Sequence, residues 1–268
     1  MIKYNSKLLL ASVFCGLLTT NIYSKDIVTE AQCNTKGDEF IFAENECIQY
    51  YVSEGDTESE INILVHGTWP EGTNTLARYA PFAENLAMST DVTTIAVALP
   101  GYSSSSTNNF QALSHNGEEN LAAQKSYITF LSELVTKLKE KYDATKVNYI
   151  GHSAGAMMGS TLTGFTPGLL DTITSAGGRY DIHEVVKSDK DLVSLIDYID
   201  KVDSSTEFLL IYGTKDTISK PSVTKKFYQI LEEKGLTATL IEVEGAPHLD
   251  LDMTSESVDA IVEMLDKE

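Results

Sequence analysis

A serine between small residues stands near the middle of the sequence, in the run Gly151-His152-Ser153-Ala154-Gly155. The apolar residues Val147, Tyr149 and Ile150 precede this run, and small or flexible side chains follow it. This order predicts a buried strand that turns abruptly into a helix, and such a turn projects the serine hydroxyl outwards. A Cβ atom at either glycine is expected to collide with the neighbouring strand or helix. Ser153 is therefore a candidate nucleophile.

Two further residues could activate that serine. A serine hydroxyl is a weak nucleophile and needs a histidine base, which a carboxylate must orient. Asp216 comes shortly after the apolar run 208–212, and His248 comes shortly after the run 240–243. Asp181, which follows an earlier apolar run, is the alternative carboxylate. We favour Asp216 on its position in the chain.

Short apolar segments alternate with amphipathic segments along the chain. Segments 38–43 and 47–53 predict an antiparallel hairpin at the start. The further predicted strands are 61–65, 93–99, 146–150, 171–176, 207–212 and 237–243. The predicted helices are 76–88, 118–142, 154–164, 182–202, 221–234 and 255–265. This alternation predicts an α/β fold with a mostly parallel sheet, helices on both faces, and chemistry in the loops at the carboxyl ends of the strands.

Four short motifs follow one another in a meaningful order. They are His66-Gly67, the Gly-x-Ser-x-Gly run at 151–155, Gly213-Thr214-Lys215-Asp216 and Gly245-Ala246-Pro247-His248. In this combination the chain resembles the α/β-hydrolases, from about residue 38 to the C-terminus. The resemblance implies a serine hydrolase in which Ser153 attacks the substrate, His248 is the base and Asp216 orients His248. It implies no metal and no organic cofactor.

The resemblance also implies an oxyanion hole made of two backbone N–H groups. One group is that of Ala154, which follows the nucleophile. The other comes from the loop after the strand 61–65, where we predict Thr68 and keep Trp69 as the alternative. This loop reads His-Gly-Thr-Trp rather than the triple-glycine version, which argues against the lipases and esterases that use the fuller loop.

The predicted substrate is a carboxylic ester of small to medium size. The segment between the strands 171–176 and 207–212 is short and reads as one helix at 182–202, so a large lid is not expected. Trp69, Tyr102 and Met157 are candidate pocket residues. Three alternatives stay open: a serine peptidase with an acidic pocket residue that recognises a free amine, an acyl-transferring enzyme, and a non-catalytic binding protein of the same fold.

Residues 1–24 have the pattern of a secretory signal peptide. Lys3 and Lys7 are their only charged residues, and the apolar run at 8–18 is too short to span a bilayer. The mature chain, 25–268, is predicted to be one secreted or periplasmic domain. It keeps Cys33 and Cys47, an even number of cysteines in an oxidising compartment, which favours a disulfide between them.

Composition excludes several other classes. The chain has 268 residues, of which 42% are hydrophobic, enough for a sizeable core. Its formal net charge is −19, and such a surface repels nucleic acid and anionic membranes. The acidic residues do not have the spacing of a calcium loop, so a metal site is not expected. The expected partner is a small-molecule ester.

Overall fold

The computed structural model describes residues 27–69, 73–103, 110, 120–187, 191–248 and 254–266. These residues form one sheet of eight strands in the order β1-β2-β4-β3-β5-β6-β7-β8. The strands are β1 (Phe40–Ala43), β2 (Glu46–Ser53), β3 (Thr57–Val65), β4 (Val92–Val97), β5 (Lys146–His152), β6 (Thr172–Ala176), β7 (Glu207–Gly213) and β8 (Ala238–Val243). The predicted signal peptide at 1–24 lies outside the described residues and stays a prediction.

Six α-helices accompany the sheet in the described part of the chain. They are α1 (Glu30–Asn34), α2 (Thr75–Thr90), α3 (Lys125–Lys141), α4 (Ala154–Phe165), α5 (Pro221–Glu233) and α6 (Ser255–Leu265). Within the described ranges, none of the helices has the length and apolar character that crossing a membrane requires.

The pairing of the strands confirms the predicted sheet. β1 and β2 form the antiparallel hairpin, and β2 joins the sheet antiparallel to β4. The remaining neighbours, from β4 through β3 and β5 to β8, are all parallel. Because parallel strands point the same way, the loops after β3, β5, β6, β7 and β8 leave the sheet at one edge. These loops carry the candidate site.

Apolar clusters cover both faces of the sheet. In β3, Ile63 and Val65 belong to one cluster and Leu64 belongs to the other, as the alternation of side chains along a strand requires. The first cluster packs against α3, α4 and α5, and the second against α2 and α6. This two-sided burial explains why the central strands read as continuous apolar runs.

The segment 182–202 is a correction to the sequence prediction, because it is not one helix. Its described part forms three short 3₁₀ turns, Ile182–Glu184, Leu195–Asp197 and Ile199–Lys201. Hydrogen bonds to a different segment replace helical ones. The N–H of Lys125 donates to the Asp191 carbonyl at 2.9 Å, and the N–H of Val193 donates to the Ala123 carbonyl at 2.8 Å.

Polar side chains reinforce this irregular path. The Ser194 hydroxyl accepts a hydrogen bond from the Ile182 N–H at 3.1 Å, and the Asp197 carboxylate accepts one from the Ser194 N–H at 2.9 Å. Serine and aspartate compete with helix formation through such local bonds. Ile182, Leu192, Leu195 and Ile199 are nevertheless buried, whereas Val185, which the same apolar pattern includes, is exposed.

The helix predicted at 118–142 also begins later than the sequence suggests. Leu121–Ala123 is a 3₁₀ turn, and Gln124 is extended, with φ −63° and ψ 132°. The α-helix α3 therefore starts at Lys125. Residues 118 and 119 lie outside the described part of the chain.

A disulfide joins Cys33 of α1 to Cys47 of β2. Both cysteines are fully buried. Thr29 caps α1 by accepting the Gln32 N–H at 3.3 Å, and Gln32 accepts the Thr29 N–H in return at 2.8 Å. The bridge thus fixes a five-residue helix, too short to be stable alone, onto the terminal hairpin of the sheet.

Removing the disulfide should destabilise the protein without changing the loops that carry the candidate site, because the bridge joins α1 to β2. We expect the double variant Cys33→Ala/Cys47→Ala to lose about 3 kcal/mol of unfolding free energy, because its unfolded chain is no longer constrained by the closed loop. Urea unfolding of the variant, beside wild type with and without a reductant, measures this. An unchanged unfolding midpoint in both comparisons would contradict the stabilising role.

Candidate active site

Ser153 occupies a strained turn between β5 and α4. Its backbone has φ 54° and ψ −113°, a conformation that residues other than glycine rarely adopt. Two hydrogen bonds hold it there: its N–H donates to the Ala176 carbonyl of β6 at 2.8 Å, and its carbonyl accepts the Met157 N–H at 3.0 Å. Its hydroxyl does not cap α4. The turn therefore presents the Ser153 side chain without using it in the helix.

The two glycines of the Gly-x-Ser-x-Gly run are sterically required, as the sequence predicts. A Cβ at Gly151 would lie 2.6 Å from the Gly155 carbonyl carbon at the start of α4. A Cβ at Gly155 would lie far inside van der Waals contact of the Val65 carbonyl oxygen of β3. The helix can approach the sheet this closely only because neither residue has a side chain.

His248 and Asp216 meet at the same edge of the sheet. His248 Nδ1 lies 2.7 Å from Asp216 Oδ2, and the Asp216 side chain is almost fully buried. The other oxygen, Oδ1, accepts the N–H groups of Ile218 and Ser219, both at 2.8 Å. The buried carboxylate is thus held by three donors. A proton on His248 Nδ1 leaves Nε2 as the basic nitrogen.

Asp181, the alternative carboxylate, has a different environment. Its Oδ1 accepts the His183 N–H at 3.0 Å and so caps the 3₁₀ turn Ile182–Glu184. It lines a separate groove beside Tyr180 and Phe227. The structure therefore pairs His248 with Asp216 and gives Asp181 a local structural role.

His66 positions the loop that follows β3. Its Nε2 accepts the Leu99 N–H at 3.1 Å, so Nδ1 carries the proton and donates to the Gly67 carbonyl at 2.7 Å. Gly67 packs directly against the serine turn, since a Cβ there would lie 2.9 Å from Ser153 Cβ. This contact brings the next residue, Thr68, beside Ser153.

The candidate oxyanion donors lie on either side of the serine. Ala154 is the first residue of α4, and the first N–H groups of a helix have no acceptor within the helix. Thr68 and Ser153 line the same two cavities. The Trp69 indole N–H instead donates to the Tyr79 hydroxyl at 3.4 Å. An oxyanion role for the backbone N–H groups of Ala154 and Thr68 stays a prediction.

Ser153 stands at the boundary of two cavities. The first has a volume of about 500 Å³, and we call it the His248 cavity. Its lining includes Gly67, Trp69, Arg78, His152 and His248. The second has a volume of about 310 Å³, and we call it the Met157 cavity. Its lining includes Tyr102, Asn120, Ala154, Met157, Arg179 and Ser219. Thr68, Ser153 and Ile218 line both cavities.

A sequence comparison agrees with this arrangement. Residues 62–194 match a family model whose description is alpha/beta hydrolase fold. The chain has the α/β-hydrolase fold. A search of curated proteins finds no match to its sequence.

Solved structures of other α/β-hydrolases share the fold at low sequence identity. Esterase PE8 superposes with a TM-score of 0.60 and 16% identity, over 81% of this chain and 97% of its own. A monoacylglycerol lipase from Paleococcus ferrophilus gives 0.57 and 16%, over 81% and 98%. A puromycin-hydrolysing peptidase from Mycobacterium tuberculosis gives 0.60 and 15%, over 85% of this chain and 38% of its own. At these identities the similarity concerns the fold.

Sequence reasoning found part of the lining of the two cavities in this α/β-hydrolase. Trp69 lines the His248 cavity, while Tyr102 and Met157 line the Met157 cavity. It missed Arg78 and Arg179. Arg179 comes three residues after the end of β6, so the rule that selected strand-end residues could have found it.

A metal site requires several ligand side chains that lie close together. Over the described ranges, no group of three or more His, Cys, Asp or Glu side chains is arranged to hold a metal ion.

The close approach of α4 to β3 can be tested at Gly155. We expect Gly155→Ala to destabilise the protein by about 1–3 kcal/mol, because the new Cβ forces α4 away from the Val65 carbonyl. Labelling of Ser153 by a fluorophosphonate should slow by about 100-fold, since the hydroxyl is displaced. Mass spectrometry of the labelled protein measures this rate.

Gly235→Ala is the matched control, because a Cβ at Gly235 would meet no atom within 4 Å although its φ is +72°. Its backbone strain should lower stability while leaving the labelling rate unchanged. Wild-type labelling of Gly155→Ala would contradict the steric argument.

Proposed function

We propose that the protein is an exported serine hydrolase that cleaves carboxylic esters of small to medium size. The observation that carries this proposal is the contact between the buried Asp216 and His248, which lines the same cavity as Ser153 on its strained turn. A nucleophile, a base and a buried carboxylate that orients the base are the parts that acyl transfer through a serine requires.

In the proposed first half-reaction, the Ser153 hydroxyl oxygen attacks the ester carbonyl carbon. His248 Nε2 takes the hydroxyl proton, and the Asp216 carboxylate stabilises the imidazolium that forms. The carbonyl oxygen becomes an oxyanion, which the N–H groups of Ala154 and Thr68 stabilise. His248 then gives its proton to the departing alkoxide, which leaves as the alcohol.

In the second half-reaction, water replaces the alcohol. His248 takes a proton from the water molecule, whose oxygen attacks the acyl carbon of the acyl-enzyme. Collapse of the second tetrahedral intermediate releases the carboxylic acid and returns the proton to Ser153. No step in this scheme calls on a cofactor.

The two cavities suggest where each half of the ester lies. The departing alkoxide must receive its proton from His248, so the alcohol group belongs in the His248 cavity. The acyl group then extends past Ala154 into the Met157 cavity. Volumes of about 500 and 310 Å³ suit substrates of small to medium size.

An ester substrate is better supported than a peptide with a free amine. Recognition of an ammonium group needs a carboxylate in the pocket. Among the described residues, neither cavity is lined by an aspartate or glutamate, although the sequence contains 39 of them. Export is supported by the pattern of residues 1–24 and by the disulfide between Cys33 and Cys47.

Hydrolysis of chromogenic esters from acetyl to lauroyl tests the proposal. We expect the purified protein to favour short acyl chains, because the Met157 cavity is small. Ser153→Ala should lose turnover by at least about 1,000-fold, since the nucleophile is gone. A maximum at long chains would contradict the size argument. Absence of both turnover and fluorophosphonate labelling would favour a binding protein.

The choice of carboxylate gives a second test. We expect Asp216→Asn to lower kcat for the best ester by about 10,000-fold, because the amide would favour the wrong tautomer of His248. Asp181→Asn is the matched control, since Asp181 caps a 3₁₀ turn in a separate groove, and its kcat should stay near the wild-type value. A larger loss in Asp181→Asn than in Asp216→Asn would reverse the assignment.

A further inference from the structure

Both arginines of this chain line the cavities beside Ser153. The sequence contains Arg78 and Arg179 and no other arginine, and its formal net charge is −19. Arg78 lines the His248 cavity and Arg179 lines the Met157 cavity. A strongly acidic protein thus presents its only guanidinium groups on either side of the candidate nucleophile.

Guanidinium groups suit the recognition of carboxylates in particular. The group is planar and always charged, and its N–H donors match the two oxygens of a carboxylate. A lysine would supply charge without this fork. The placement of the arginines therefore points to a substrate with a negative charge of its own.

Arg179 is held close to the reaction site by the end of β6. It follows Ala176 of β6, whose carbonyl accepts the Ser153 N–H, by three residues. The arginine is half-buried, so part of its stem packs against the protein. A short, anchored connection of this kind fixes the guanidinium relative to the serine better than a long loop would.

The carboxylate of Glu184 lies within reach of the Arg179 charge but has another partner. Its pKa is lowered, first because Lys226 donates a hydrogen bond to it and then by the charges of Lys226, Lys187 and Arg179. Lys226 Nζ lies 2.6 Å from Glu184 Oε1. Glu184 lines the separate groove beside Tyr180 and Phe227, whereas Arg179 lines the Met157 cavity.

The other polar groups of the Met157 cavity also favour an anion. Burial raises the pKa of Tyr102, despite the hydrogen bond from the Ala122 N–H, so its phenol stays neutral and keeps a proton to donate. Asn120 and Ser219 add an amide and a hydroxyl. Among the residues that the structure describes, no carboxylate lines this cavity to repel an anion.

We propose that Arg179 binds a free carboxylate at the far end of the acyl group, so that the substrates are monoesters of short dicarboxylic acids. This inference rests on the proposed ester hydrolysis, because it assigns the acyl group to the Met157 cavity. The reaction breaks the ester bond between acyl carbon and alcohol oxygen. Water supplies a hydroxyl to the acyl carbon and a proton to the alcohol, and the free carboxylate is unchanged.

Matched pairs of esters test the proposal. Monoethyl succinate, glutarate and adipate are each compared with the ethyl ester in which a neutral carboxamide replaces the free carboxylate, and released ethanol is measured. We expect kcat/KM for the best monoester to exceed that of its carboxamide partner by about 10- to 100-fold, the usual effect of a charge-assisted hydrogen-bonded pair. Equal values would overturn the inference and leave the proposed function intact.

Substitution of the arginine locates the effect. We expect Arg179→Gln to abolish the preference, because it should lower kcat/KM for the monoester, mainly through KM, far more than kcat/KM for the carboxamide ester. Arg179→Lys should restore part of the preference, since it keeps the charge but not the fork. Lys225→Gln is the control, because Lys225 lies outside both cavities and pairs with Glu242 rather than with Glu184, and this variant should keep the full preference.

Other outcomes would overturn the inference in distinguishable ways. Loss of the preference in Arg78→Gln but not in Arg179→Gln would place the free carboxylate, and with it the acyl group, in the His248 cavity. Cleavage of neither ester, without fluorophosphonate labelling of Ser153, would overturn the proposed function as well.

A measurement on the wild-type protein covers the case in which Arg179→Gln fails to fold. Glutarate should inhibit hydrolysis of the carboxamide ester at least about tenfold more strongly than glutaramide does. Equal inhibition would again overturn the inference.

Discussion

The backbone conformation of Ser153 is the constraint on which the rest of this structure depends. A φ of 54° with a ψ of −113° costs on the order of 1–3 kcal/mol, so the surrounding chain must enforce it. β6 binds the Ser153 N–H, α4 binds its carbonyl, and β3 lies so close to Gly155 that a side chain is excluded. The order β3-β5-β6 in the sheet is therefore needed to hold the backbone conformation of Ser153 as well as to form the core.

The charged residues that line the two cavities differ from those of the chain as a whole. The chain has 39 acidic residues, yet among the described residues no carboxylate lines either cavity. Asp216 is buried beside the His248 ring, and its two oxygens accept hydrogen bonds from three donors. A buried carboxylate is stable only when it is hydrogen-bonded in this way. The two arginines line these cavities although the chain as a whole is acidic, so under the proposed ester specificity an anionic acyl group would meet a positive charge beside Ser153.

The sequence predicted the features that depend on hydrophobic periodicity and on position at the end of a strand. The strand that leads into Ser153, the strand ends that carry Asp216 and His248, and the terminal hairpin follow from local patterns that long-range contacts reinforce. The prediction of one helix at 182–202 was wrong because the backbone of this segment forms hydrogen bonds with residues near Lys125. No local sequence pattern encodes that pairing. Arg179 was missed for a related reason. In the sequence it is one more charged loop residue, and only the folded structure shows that it lines the same cavity as Ser153.

The loop after β7 couples two properties that are usually considered separately. The Asp216 carboxylate that orients His248 also accepts the N–H groups of Ile218 and Ser219, and Ile218 forms a wall of both cavities. A change in the length of this loop would move the pocket wall and the orienting carboxylate together. The loop after β6, which carries Arg179, also lies against this pair, since a Cβ at Gly177 would stand 3.0 Å from His248 Cε1 and 3.5 Å from Asp216 Oδ2. Substrate range should therefore change more readily through substitution of the side chains that line the cavities than through insertions or deletions in either loop.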